Sequence, residues 1–202
     1  SSLARGFAWL RPNDLIWNYV INNYLLGDDP PAFDILFWNA DATNLSASLL
    51  GDFLELFEAN AYAAPGTFNI AGHTLDLTKV KGDMFILGGT TDHITPWQAC
   101  YRSTQLFGAK NVEFVLSQAG HMQAILNPPG NPKAKYWRNT KGNPPADVKQ
   151  WMKGAEENSG SWWPFWTEWL AERSGKKVKA PNGCGSKAHP PMENAPGLYV
   201  LD

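Results

Sequence analysis

Two residues in this chain are of types, and in places, that could carry acid–base chemistry: Asp92 and His121. Asp92 follows Met84-Phe85-Ile86-Leu87, a short apolar run ended by Gly88-Gly89, and His121 follows Val112-Glu113-Phe114-Val115-Leu116 by way of Gly120. An acid after one strand and a histidine after the next is the layout of the supporting half of a nucleophile–acid–histidine triad. There the acid fixes the imidazole tautomer and stabilises its charged form, while the histidine takes the proton of the nucleophile. A bare Asp92-His93 pair could also be a capped turn with a solvated histidine. The strand ends favour chemistry, because such loops are where α/β folds place reactive groups.

The chain offers no nucleophile to match. No Ser or Cys ahead of Asp92 has glycines at minus two and plus two, the spacing of a strand–turn–helix elbow. Asn182-Gly183-Cys184-Gly185 has the wrong spacing and follows the histidine, and Cys100 reads as a small core residue within a helix. His73 falls in a hairpin turn and His189 in the tail before Pro190-Pro191; scattered histidines without i, i+4 spacing give no metal site. Gly88-Gly89 alone is no phosphate-binding loop.

The elements that must position the pair follow from periodicity. Between the two strands, Thr95 and Gln98 have capping-box spacing and Pro96 falls at the first helical position, so a helix is expected there, closing near Gly108. Upstream, Arg11-Pro12-Asn13-Asp14 is expected as a turn capping a helix that carries Trp17, Val20, Ile21, Tyr24 and Leu25 and stops at Gly27. Phe33 to Trp38 is an apolar run too short to assign. Leu49, Leu50, Phe53, Leu54 and Phe57 mark an amphipathic helix over 48–60. Alternation on either side of Gly72-His73 marks a hairpin. Beyond His121 a loop-rich stretch is expected, with Asn127-Pro128-Pro129-Gly130-Asn131-Pro132 irregular and a modest helix over 146–155. Ser161 then caps a helix with Trp162, Phe165, Trp166, Trp169 and Leu170 on one stripe, ending at Gly175. Docking on a core is the ordinary role of such a stripe, a ligand platform the alternative. The fold class expected is α/β, with a mainly helical segment over 1–63, an α/β region over 64–175 and an extended tail over 176–202.

Composition narrows the function classes. With 202 residues the chain can bury a full core, and with a formal charge of −2 and interspersed signs it shows no basic face for nucleic acid or an anionic membrane. The 2 cysteines, far apart, make no disulfide framework, which favours a reducing, cytoplasmic setting. No apolar run reaches the roughly 18 residues a membrane span needs, and no signal peptide is expected. The chain opens Ser1-Ser2-Leu3-Ala4-Arg5-Gly6 without an initiating methionine, so a piece of something longer is expected.

Several ordered blocks resemble the poly(3-hydroxyalkanoate) synthases: residues 10–19 (LRPNDLIWNY), Phe33-Asp34-Ile35-Leu36-Phe37-Trp38-Asn39, Asp92-His93-Ile94-Thr95-Pro96-Trp97 and Gly120-His121. The match continues through Leu126 to Pro132, Gly160-Ser161-Trp162-Trp163-Pro164 and Ala195 to Val200. The resemblance implies the C-terminal part of an α/β-hydrolase-like catalytic domain working through a Cys-His-Asp triad. In that family a cysteine attacks the thioester of an (R)-3-hydroxyacyl-CoA, releases CoA and passes the acyl unit to a growing polyester chain. Carried over, His121 would be the base that makes the thiolate, and Asp92 would orient His121 or help activate the substrate's 3-hydroxyl. Residues 1–63 would be the cap, or lid, which in the family takes part in dimer contacts and substrate access. The resemblance also implies no cofactor beyond the CoA thioester substrate, a homodimer, and association with polyester granules in the bacterial cytoplasm. Lacking the cysteine, the chain alone is expected to be inactive. The rivals are part of an esterase or depolymerase with the same acid–histidine layout, and a non-catalytic granule-binding or dimerisation module.

Overall fold

The computed structural model describes residues 9, 12–30, 44–194 and 197–198. The unassigned run from Phe33 to Trp38 lies outside them, as do parts of the first and last resemblance blocks. By its contacts the chain divides into two units, Leu45–Ala180 and a second formed by the residues on either side of it.

In that second unit, Asn13–Trp17 and Val20–Leu25 are wide, π-type helical turns, with Asn18 N–H and Leu26 N–H reaching back five residues to Asn13 and Ile21. The expected turn at Pro12 is not formed. Pro12 has helical dihedrals (φ −63°, ψ −32°) and leads straight into the helix, as proline can at a helix start, so Asn13 lies inside the helix rather than capping it. Gly27, at φ 76°, ends the helix as expected. The described tail residues, 176–194 and 197–198, contain no helix or strand.

In the larger unit, helix α1 spans Ala47–Ala59. Ser46 caps it, accepting the Leu49 N–H, and Asn60 closes it in the left-handed region. Its apolar residues Leu50, Phe53, Leu54 and Phe57 are exposed. The hairpin pairs β1 (Asn69–Ile70) with β2 (His73–Thr74) through Ala71 and Gly72, both at positive φ as a two-residue hairpin turn requires. His73 is therefore a strand residue, cross-paired with Ile70, not a turn residue.

A four-stranded sheet in the order β3-β4-β5-β6 forms the centre. Strand β3 (Met84–Gly89) runs parallel to β4 (Val112–Ser117), and the strand continues through both glycines instead of stopping at them. The stretch after His121 is less loop-like than its sequence suggests. Lys135–Arg138 (β5) and Glu156–Ser159 (β6) extend the sheet antiparallel.

Helices cover both faces. Helix α2 (Trp97–Arg102) and helix α4 (Val148–Gly154, capped by Asp147) flank a core of Tyr101, Phe114, Leu116 and Trp151, with Ile86 and Trp97 packed against it. Helix α2 is shorter than expected: it passes into a 3-10 turn at Ser103–Gln105 well before Gly108. On the other face Phe85 meets the rings of Trp162, Phe165 and Trp169, at centroid distances of 5.9, 5.8 and 5.5 Å. Helix α5 (Trp163–Ala171), with Pro164 in its first turn, thus docks its aromatic stripe on the sheet. The result is an α/β architecture.

Candidate active site

The ends of β3 and β4 bring the two sequence-marked residues together. The strands are parallel and in register to the last pair, Gly89 opposite Ser117, so the loops that follow leave the same end of the sheet. Three hydrogen bonds tie these loops: Thr90 N–H to Ser117 O (2.9 Å), Thr91 N–H to Ala119 O (3.2 Å), and Ala119 N–H to Thr90 Oγ1 (3.1 Å). Held this way, Ala119 adopts φ 114°, a conformation a residue with a side chain rarely takes. His121 opens helix α3 (His121–Ile125) directly afterwards.

Gly89 makes the approach possible. A Cβ there would lie 2.8 Å from the Ala124 Cβ, 2.9 Å from the Ala119 carbonyl oxygen and 3.3 Å from the Asp92 Cβ. Only a glycine lets the acid loop, the histidine loop and α3 converge on one strand end.

Asp92 Oδ2 lies 2.9 Å from His121 Nδ1. The same oxygen accepts the Thr95 hydroxyl at 2.8 Å, while Oδ1 accepts the backbone N–H groups of Ile94 and Thr95, each at 2.9 Å. Burial opposes the charge on Asp92, whose side chain is only 6% exposed. The Thr95 N–H, the His121 ring, the Thr95 hydroxyl and the Ile94 N–H together outweigh it, and hold the carboxyl well below the usual carboxylate range. An ionised carboxylate can only accept, so Nδ1 of His121 is the donor and Nε2 of the neutral ring carries the free lone pair. The His121 side chain is 38% exposed, and among the described residues Nε2 has no hydrogen-bond partner.

The role of Thr95 differs from the one its spacing suggests. It does not cap α2, whose N-cap is Pro96 without a side-chain bond, because its hydroxyl is spent on Asp92. The signal for this was available: Asp followed two and three residues later by its own N–H partners is a local turn that aspartate favours.

A small cavity of about 60 Å³ lies beside the pair, lined among others by Asp92, Thr95, Cys100 and His121. It has room for a water or two and not for an acyl chain. Cys100 reaches its wall, but its thiol donates to Thr95 O at 3.6 Å, and burial pushes its pKa up, with the Asp92 charge adding to the effect. It is the opposite of an activated thiolate. His93 is exposed and away from the pair's hydrogen bonds. Among the described residues no three His, Cys, Asp or Glu side chains gather as a metal set, and no helix is long and apolar enough to cross a membrane.

An acid and a histidine on consecutive parallel strand ends agree with what sequence comparison shows: the chain belongs to the alpha/beta hydrolase fold family, whose model matches residues 1–128. Along nearly its whole length it is similar to particular proteins. It is 52% identical over 200 residues to poly(3-hydroxyalkanoate) polymerase 1 of Ectopseudomonas oleovorans, covering 99% of this chain and 35% of that one. To the poly(3-hydroxyalkanoate) polymerase subunit PhaC of Cupriavidus necator it is 44% identical over 199 residues, covering 98% and 33%. To the poly(3-hydroxyalkanoate) polymerase of Methylorubrum extorquens it is 42% identical over 198 residues, covering 98% and 32%. The chain spans about a third of the length of these curated relatives.

Proposed function

We propose that this chain is the C-terminal portion of a poly(3-hydroxyalkanoate) polymerase, contributing Asp92 and His121 to a triad whose cysteine lies outside these residues. The observation that carries the reading is the 2.9 Å contact between Asp92 Oδ2 and His121 Nδ1, with the other acceptor positions of Asp92 already filled. In this role Nε2 of His121 takes the cysteine thiol proton. The thiolate attacks the carbonyl carbon of an (R)-3-hydroxyacyl-CoA, the thioester C–S bond breaks, and the departing CoA sulfur recovers a proton from the imidazolium. The hydroxyl of the growing polyester chain then attacks the acyl-cysteine, His121 taking the hydroxyl proton; the cysteinyl C–S bond breaks, and the released cysteine sulfur recovers that proton from the imidazolium.

Asp92 fits orientation of His121 better than activation of the substrate's 3-hydroxyl. A substrate hydroxyl would have to displace one of four short hydrogen bonds on a carboxylate that is 6% exposed. The same reading carries the CoA thioester as substrate rather than cofactor, a homodimeric full-length enzyme, and residence on polyester granules in the bacterial cytoplasm, with residues 1–63 as the cap and 176–202 as a tail.

The test is a chimera in which this chain replaces the matching segment of the E. oleovorans polymerase 1, assayed for CoA release from (R)-3-hydroxyacyl-CoA. Release at a rate within about tenfold of the parent supports the proposal. A folded chimera no faster than the parent truncated before that segment would overturn it.

A further inference from the structure

Helix α3, which carries His121 at its first position, is 5 residues long, far below the length at which a helix is stable by itself. Its last carbonyls have no helical N–H to accept; Ile125 O takes the Asn127 N–H at 3.0 Å, and their remaining acceptor capacity is open to outside donors. Two side-chain donors from one short segment meet them, and a third meets the carbonyl of Asn127 just past the helix end. Trp162 Nε1 donates to Ala124 O at 2.8 Å, Trp163 Nε1 donates to Ile125 O at 2.9 Å, and the Ser161 hydroxyl donates to Asn127 O. Ser161 Oγ in turn accepts the Trp163 N–H at 3.0 Å, which ties the donors to the start of α5. Ser161, Trp162, Ala124 and Asn127 are all buried. The Trp162 ring also stacks on Phe85 of β3, so the segment is fixed to the same strand whose end bears the acid loop.

From this geometry we infer that Ser161-Trp162-Trp163 is a clamp that positions His121: it satisfies the C-terminal carbonyls of α3 and thereby fixes the imidazole against Asp92. The three are positioning residues, acting through α3. The inference rests on the catalytic reading of His121 for its consequence, not for its geometry. It also gives a physical reason for two adjacent tryptophans at this place, since packing alone does not call for both indole N–H groups.

The clamp is tested on this chain by NMR. Trp163→Phe keeps an aromatic ring at a half-buried position and removes only the indole donor; Glu168→Gln, exposed on the same helix, is the control. Expected for Trp163→Phe is a drop of about tenfold or more in amide-exchange protection at Ala124 and Leu126, while β4 amides are unchanged. The His121 Nδ1–H resonance should broaden or disappear, and Glu168→Gln should do neither. Ser161→Ala, which removes a single hydroxyl, repeats the test should Trp163→Phe fail to fold, and should move the same signals. Unchanged α3 protection and an unchanged Nδ1–H signal, or a loss spread equally over β4, would overturn the clamp. In the chimera, Trp163→Phe should lower kcat severalfold with KM little changed. A chimera inactive even with the unaltered chain would count against the polymerase reading while leaving the NMR result on the clamp standing.

Discussion

Gly89 and Ala124 stand so close that a single added carbon on Gly89 would come within 2.8 Å of the Ala124 methyl. That contact joins the last residue of β3 to the helix bearing His121, and the Ala119 carbonyl and the Asp92 Cβ press on the same spot. The acid–histidine pair is thus built around a missing side chain. Gly89→Ala should destabilise the chain by about 1–3 kcal/mol, since two of the three opposing atoms belong to fixed backbone or a buried methyl group. Urea unfolding monitored by tryptophan fluorescence measures this, and a cost near zero would show that the strand end can yield.

Asp92→Asn keeps the size of the side chain and removes its charge. The amide can still accept from the Ile94 and Thr95 N–H groups, but its NH₂ then faces His121 Nδ1 and selects the other tautomer. In the chimera this should cost on the order of 10³–10⁴ in kcat, as in other triads. A loss below tenfold would mean that Asp92 does not set the state of the ring.

The same substitution reads out pH dependence. The carboxyl of Asp92 has a pKa lowered in the folded chain, so the stability it contributes is fully present above the unfolded value of about 3.9 and is lost as pH falls through the lower folded value. The stability gap between the unaltered chain and Asp92→Asn should therefore narrow as pH falls from about 4 into stronger acid. Urea midpoints measured across that range test it; a gap that widens in acid would reverse the sign.

Thr95→Val exchanges the hydroxyl on Asp92 Oδ2 for a methyl group of similar shape. A loss of about 1 kcal/mol in stability is expected from one hydrogen bond at an exposed residue, with recovery in Thr95→Ser. If Thr95→Ser fails to recover it, the methyl contact, not the hydroxyl, is what matters.

Trp151 is 1% exposed at the centre of the core with Tyr101, Phe114 and Leu116. Trp151→Ala should cost about 3–5 kcal/mol, measured by thermal or urea unfolding, whereas Glu168→Gln at the surface should change stability by less than about 0.5 kcal/mol.

How much of this was legible beforehand depended on whether the signal was local. Strands β3 and β4 are apolar on both faces because helices cover both, so they stand out as short continuous runs. The Asp92 and His121 positions follow from those strand ends. Strands β5 and β6 did not stand out: Lys135-Tyr136-Trp137-Arg138 and Glu156-Glu157-Asn158-Ser159 mix charge with aromatics and become strands by pairing with their neighbours. The spacing of Thr95 and Gln98 reads as a capping box, although the turn opened by Asp92, three residues earlier, competes for the same hydroxyl and wins it. Trp162 stood out as part of an aromatic stripe and Trp163 did not; neither showed as a hydrogen-bond donor, since their acceptors lie 38 residues away in the chain.

The most direct measurement is CoA release by the chimera carrying His121→Ala. If His121 is the base that prepares the cysteine, release should fall by about 10²–10⁴-fold with the fold intact by circular dichroism. A rate within twofold of the unaltered chimera would contradict the assignment of His121, and with it the role proposed for this chain.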